Sequence, residues 1–200
     1  KAQKIVINTV MAGESLFRDL EIEAFRAGVT PRTRQSIRWF QDKARQMFRG
    51  RFTMNRDKLM RDEALELKAD PVTRTGPLGN MYMFFYDPKH KKTLPYYDGF
   101  PLIIMIGPAK GGFMGLNLHY LPPTLRARLL DTVLGGNGKI PMKYLDPAMK
   151  HYLFKHVRSQ FALVDKPEWE IATFLPSANW NKASPTEVYR DSRKKLRANG

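Results

Sequence analysis

Leu102-Ile-Ile-Met-Ile106, Gly107-Pro-Ala-Lys-Gly-Gly112 and Phe113-Met-Gly-Leu-Asn-Leu-His-Tyr120 follow one another without interruption. The first piece is an apolar run of strand length. The second is turn chemistry, with three glycines and a proline. The third alternates, with Met114, Leu116, Leu118 and Tyr120 the more apolar set, which predicts a third strand over 113–120 with that set facing the core. Upstream, Met81-Tyr-Met-Phe-Phe-Tyr86 is a compact aromatic run that Asp87-Pro88 breaks, and a basic loop follows at 89–92. Short strands joined by tight turns predict a small antiparallel β-sheet or partial barrel.

Helical periodicity flanks this centre on both sides. Leu16, Leu20, Ala24 and Ala27 predict a helix over 14–27, which Gly28 stops. Thr30-Pro31 opens a longer one over 32–49, with Ile37, Phe40, Ala44, Met47 and Phe48 on its apolar stripe and Trp39 at the boundary. A third helical stretch is expected over 53–70, then a linker over 71–80. Downstream, Leu125, Leu129, Leu130, Val133 and Leu134 predict a helix that the glycines from Gly135 onward end. Asp146-Pro147 reads as an N-cap and first helical residue for a helix to Phe161. Residues 170–175 read as a fourth strand. Ser184-Pro185-Thr186-Glu187 fits a capping box before a basic helix that runs to about Arg197. That helix has little apolar surface, which reads as a tail that orders on binding. The fold class expected is α+β: a small antiparallel β-sheet or partial barrel core flanked by basic amphipathic helices. The expected division is a basic helical arm over 1–75, an α+β core over 76–178 and a basic C-terminal helix or tail over 179–200.

The 200 residues carry 34 Lys and Arg against 19 Asp and Glu, a net charge of +15, and no cysteine. No disulfide scaffold and no cysteine-ligated metal site is possible. A hydrophobic share of 42% supports a real core. The longest aliphatic run, 102–106, is too short to span a bilayer, and residues 5–12 lack a secretory apolar region. A soluble, intracellularly made protein is expected. The charge is unevenly placed. Residues 1–75 hold 16 basic and 10 acidic side chains, 76–135 hold 6 and 3, and 136–200 hold 12 and 6. Basic flanks around a nearly balanced centre point to a polyanionic partner.

Catalytic signatures are weak. The 107–115 glycines form no Walker A loop, since no Gly-Lys-Ser/Thr ends them, and they miss the dinucleotide fingerprint. A β-turn explains them, leaving a phosphate contact through Lys110 as the lesser reading. His90, His119, His151 and His156 show no metal-ligand spacing, so no metal and no cofactor is expected. Glu66-Leu67-Lys68, with Asp57 or Asp62 upstream, matches a nuclease tripeptide, but it lies in an expected helix. Glu168 and Glu170 read as an exposed pair on a strand. No Gly-x-Ser-x-Gly elbow occurs.

Binding signatures are stronger. Arg32, Arg34, Arg38, Arg45, Arg49, Arg51 and Arg56 fall within 25 positions, and Arg forks match phosphate geometry. Lys89, Lys91 and Lys92 sit together at a loop tip. Arg190, Arg193, Lys194, Lys195 and Arg197 mark the last helix. These are the candidate contacts to nucleic acid or to an acidic partner. About six phosphate contacts would give a log–log salt slope of about −5. No motif for reading base sequence is present.

The block over 81–98, with Phe100-Pro-Leu102 and Gly112-Phe-Met-Gly-Leu-Asn-Leu-His-Tyr-Leu-Pro-Pro123, resembles virion proteins of T4-like contractile-tailed bacteriophages, of the DNA end protector type. The resemblance covers about 35–195, including the Ser-Arg-Lys near Ser192. It implies a non-enzymatic structural protein of the neck, portal or tail region that contacts or protects the packaged DNA end. It implies other virion proteins and double-stranded DNA as partners, a symmetric multimeric assembly, no membrane, and residence in the virion after synthesis in host cytoplasm. The alternative is a baseplate or tail component whose basic arms bind acidic subunits without DNA. A metal-dependent nuclease is the distant third.

Overall fold

The computed structural model describes residues 16–29, 38–39, 42–44, 46, 78–135 and 145–198. Its centre is a five-stranded antiparallel sheet of order β5-β4-β3-β1-β6. The strands are β1 (Met81–Met83), β3 (Leu102–Ala109), β4 (Gly112–Asn117), β5 (Met149–Leu153) and β6 (Ala162–Val164). A separate pair joins β2 (Tyr97–Asp98) to β7 (Trp180–Asn181). The helices are α1 (Leu16–Arg26), α2 (Pro123–Gly135), α3 (Trp169–Phe174) and α4 (Pro185–Ala198). The expected α+β class holds, and the sheet is open, not a closed barrel.

Both faces of the sheet are buried. Met81, Met83, Leu102, Ile104 and Leu116 pack with Leu20, Leu129, Leu130, Trp169 and Val188 from the helices. Tyr82, Ile103, Met105 and Phe113 pack with Phe84, Tyr152 and Phe161 on the other side. The period-2 pleat therefore deals the apolar runs to two cores. The expected inward set holds for Leu116, Leu118 and Tyr120, while Met114 is only partly buried and Phe113, Asn117 and His119 of the alternate set are fully buried as well. The expected strand over 113–120 also ends early. Asn117 accepts a hydrogen bond from the His119 N–H, and Leu118–Tyr120 turns as a 3-10 helix.

The glycine-rich segment is a hairpin. β3 continues through an irregularity between Met105 and Gly107 to Ala109, which pairs with Gly112. Only Lys110 and Gly111 form the turn, with Gly111 at φ +70°. Gly112 allows close approach of β5, because a Cβ there would collide with the Tyr152 carbonyl.

That approach explains the largest correction. The expected helix from Pro147 to Phe161 is instead a turn at 146–148, strand β5, a 3-10 turn over Phe154–His156, and a non-helical run that leads into β6. Met149 and Leu153 are four apart, a spacing that fits a helix and one face of a strand equally. Pairing with β4 decides for the strand. The expected strand over 170–175 is helix α3. Lys166-Pro167 starts a 3-10 turn before it, and Trp169, Ala172 and Thr173 are buried at helical spacing. Glu168 lies in that turn and Glu170 is on the helix, so they are not an alternating strand pair.

The remaining helices follow their signals. At the end of α1, Gly28 has φ +63°, and Val29 N–H donates to Ala24 O at 2.9 Å. That is a Schellman stop. Arg38, Trp39, Asp42, Lys43, Ala44 and Gln46 are helical. The rest of the expected 32–49 helix, the 53–70 helix and the linker up to 77 lie outside the described residues. At α4, Ser184 N–H donates to Glu187 Oε2 at 2.7 Å, and Glu187 N–H donates back to Ser184 Oγ at 3.4 Å. Ser184→Ala is expected to lower stability by about 1 kcal/mol, read as an earlier urea midpoint with increased amide exchange in the first turn of α4. The helix is docked and not a free tail: Val188 and Ser192 are buried, and Ser192 Oγ donates to Tyr120 O at 2.6 Å.

Candidate nucleic-acid interface

A buried polar hub holds the site together. Asp98 Oδ1 accepts the Phe100 and Asn179 N–H groups, each at 3.0 Å. Its Oδ2 accepts Asn117 Nδ2 at 3.2 Å and meets His119 Nδ1 at 2.6 Å. Asn117 Nδ2 also reaches the Tyr152 hydroxyl at 3.0 Å. One carboxylate thus joins β2, the end of β4, and the segment entering β7. Burial would raise the Asp98 pKa, but His119 and the bonds from Phe100 and Asn117 outweigh it and bring it below the ordinary value. Burial pushes the His119 imidazole down, with Arg126 adding to the effect against Asp98. The neutral ring donates Nδ1–H to the acceptor-only carboxylate. Its Nε2, 3.1 Å from Ser177 Oγ, accepts the hydroxyl.

Asp98, His119 and Ser177 follow the order of an acyl-transfer triad. His119 and Ser177 have no exposed surface, and the adjacent cleft is lined by neither. A substrate carbonyl has no approach to the hydroxyl, so the three residues act as a brace. The sequence showed His119 no acidic neighbour; the partner comes from 21 positions away.

A second buried group ties the helices to this brace. Arg126 donates to Leu121 O at 2.7 Å, Thr173 O at 2.9 Å, His119 O at 3.2 Å and the Tyr189 hydroxyl at 2.6 Å. α2, α3, α4 and the 3-10 turn therefore share one guanidinium.

Beside the hub lies a cleft of about 620 Å³. The 86–97 segment forms one wall, β5 and Tyr120 the floor, and Ser192 and Lys195 of α4 the other wall. Its side chains are aromatic and basic: Tyr86, Tyr96, Tyr97, Tyr120 and Tyr152 with Lys89, Lys150 and Lys195. Asp98 is the sole carboxylate among them, and its oxygens are occupied by the four bonds above. Lys150 Nζ lies 4.1 Å from the centroid of the Tyr120 ring. Burial, with Lys195 adding to it and Asp146 opposing, brings the Lys150 pKa down to about 8. Holding that ammonium charged costs the free protein on the order of 3 kcal/mol.

The loop wall is clamped. Lys182 Nζ donates to the carbonyls of Lys91, Lys92 and Leu94 at 2.6, 2.9 and 3.1 Å. Lys182 itself sits at φ +70°, a strained conformation for a side chain with a Cβ. Lys91 also pairs with Asp87 at 2.9 Å, and that contact, ahead of the smaller pull of Arg158, lowers the Asp87 pKa.

The expected contact residues divide as follows. Arg32, Arg34, Arg45, Arg49, Arg51 and Arg56 lie outside the described residues, and so do Asp57, Asp62, Glu66 and Lys68. Arg38 is helical and exposed. Lys89, Lys91 and Lys92 are exposed at the loop tip. On α4, Arg190, Arg193, Lys194 and Arg197 fall at i, i+3, i+4 and i+7, a single outward stripe. Lys195 shares the helix face of Val188 and Ser192 but is itself exposed, and it lines the cleft. The structure thus brings Lys89 and Lys195 to one cleft and leaves the α4 stripe as a separate surface. Lys150 and the tyrosines were missed. Their signal is an unpaired lysine among aromatic residues, visible only once β5 is known to be a strand. Among the described residues no group of three His, Asp or Glu is placed to hold a metal ion, and no helix is long and apolar enough to cross a membrane.

Fold and surface together define a small basic α+β protein whose described residues brace polar groups inside and set cations along a cleft and a helix stripe. The chain belongs to the family of the phage T4 terminal DNA protecting protein, which it matches over residues 15–142. The match covers α1, β1 to β4 and α2, and includes the block at 81–123. It starts upstream of the resemblance read at 35–195 and ends before β5 and α4. No curated protein and no solved structure matches the chain.

Proposed function

We propose that this protein is a non-enzymatic structural component of a tailed-phage virion that covers the end of the packaged DNA. The observation that carries the reading is the family match over 15–142. The charge of +15 and the exposed cations of α4 and the 89–92 loop supply the attraction to a phosphate backbone. The brace at Asp98 and Arg126 supplies rigidity, since it locks the loop, sheet and helices into one unit. In the particle the protein sits near the neck or portal in several copies, in contact with other virion proteins.

The test is protection of linear DNA from a processive exonuclease, with a nicked circle of equal length as binding competitor. Degradation slowed at least tenfold, with the circle competing poorly, is the expected result. Equal competition by the circle together with unslowed degradation would overturn the reading and favour a tail component that binds acidic subunits.

A further inference from the structure

The cleft between the 86–97 segment and α4 differs from the outer stripe in a way that bears on which part of DNA it takes. A phosphate backbone needs only exposed cations that track a strand. The cleft instead sets one recessed cation, Lys150, and the exposed Lys89 and Lys195 beside half-buried rings. Lys150 is mostly buried, its charge favoured by Asp146 but disfavoured more strongly by burial, and Lys195 lines the same space from α4. Tyr86, Tyr96 and Tyr97 are half-buried at its walls. Pro88, Leu94 and Pro95 complete an apolar side.

Each feature has a chemical counterpart. A lysine held charged in a poorly solvated position gains most from an anion that enters with it. A phosphate monoester carries close to two negative charges and three acceptor oxygens, where an internal phosphodiester carries one. Tyrosine rings offer faces to any base without selecting its sequence. The volume lies in the range of small-ligand sites, so it admits a nucleotide and excludes a duplex. The loop wall needs no ordering on binding, because Lys182 already holds three of its carbonyls.

We propose that this cleft seats the terminal nucleotide of a DNA strand, with its phosphate monoester at Lys150 and Lys195 and its base against the wall tyrosines. The inference rests on the DNA-end reading above and adds the atom that identifies an end. The outer stripe of α4 then holds the adjoining duplex without discriminating ends from middles.

The experiment measures binding of the full chain to blunt DNA hairpins that differ only at the open end: 5′-phosphate, 3′-phosphate or hydroxyl at both. A closed dumbbell of the same duplex serves as the endless control. One phosphorylated end is expected to bind roughly tenfold tighter than the hydroxyl end, and which one assigns the strand polarity. Lys150→Gln and Lys195→Gln are expected to erase that ratio while dumbbell binding stays within about twofold. If phosphate makes no difference while open hairpins still outcompete the dumbbell, the cleft proposal falls and end protection stands. If the dumbbell binds as well as every hairpin, the end-protection reading itself falls. A phosphate preference that survives both lysine substitutions, with the fold verified by circular dichroism, would also overturn the assignment.

Discussion

Asp98→Ala is expected to destabilise the protein by about 4 kcal/mol. The carboxylate receives four donors: two backbone N–H groups, the Asn117 amide and the His119 ring. Alanine leaves all four in a space where the residue is 3% exposed, and each stranded donor costs on the order of 1 kcal/mol or more. Loss should spread beyond β2, because the same oxygens position the segment entering β7 and, through Asn117, the Tyr152 hydroxyl on the cleft floor. Urea unfolding measures the change. A shift below 1 kcal/mol would show that the hub is not what holds these segments. The hub also sets a pH dependence. The native His119 value lies below 6.5, so as pH falls past 6.5 the unfolded chain takes up a proton that the native state resists. Stability is therefore full above that pH and declines with acidification. Asp98, also lowered from its ordinary 3.8, acts in the same direction at lower pH. A urea midpoint unchanged between pH 8 and pH 5 would contradict the neutral imidazole.

The parts of this fold that could be read from sequence are those encoded locally. The Schellman stop at Gly28, the α2 pattern, the apolar strand at 102–106 and the capping box at Ser184 each depend on residues within a few positions. What failed was decided by partners far away. Met149 and Leu153 satisfy two periodicities, and only the glycine-lined edge of β4 chooses between them. The Glu170 segment was assigned as a strand although Lys166-Pro167 and buried Trp169 start a helix there. Residues 113–120 looked like one strand because the side chain that ends it, Asn117, acts by capping a turn. The site was legible as charge and not as shape. Lys89 and Lys195 were marked as basic residues, yet nothing in their spacing says that they meet across a cleft. Asp98, His119, Ser177 and Arg126 looked ordinary because their partners lie 2 to 81 positions away. The resemblance at 81–123 is of a different kind: that block builds the β3–β4 hairpin and supplies Asp98, Asn117 and His119 of the hub.

Replacing Arg190, Arg193, Lys194 and Arg197 together by glutamine is expected to weaken DNA binding by up to about a thousandfold near 0.15 M salt. Each phosphate contact contributes about 0.9 to the log–log salt slope, so losing four should make it shallower by roughly 3 to 4. Geometry favours this stripe over several of the other cations. Lys91 is paired with Asp87, Lys182 is held by three carbonyls, and Arg126 is buried. On α4 the two acids offer little competition: Glu187 is engaged in the cap, and Asp191 approaches Arg190 only at 3.8 Å. Glutamine matches lysine and arginine in helix propensity, and the inward residues Val188 and Ser192 stay, so α4 should remain docked and the urea midpoint nearly unchanged. Lys195 is left in place, which separates the two surfaces. The neutralised protein should bind all hairpins weakly but still prefer the phosphorylated end. An unchanged salt slope would place the duplex contacts elsewhere, on the arginines of the 32–51 segment.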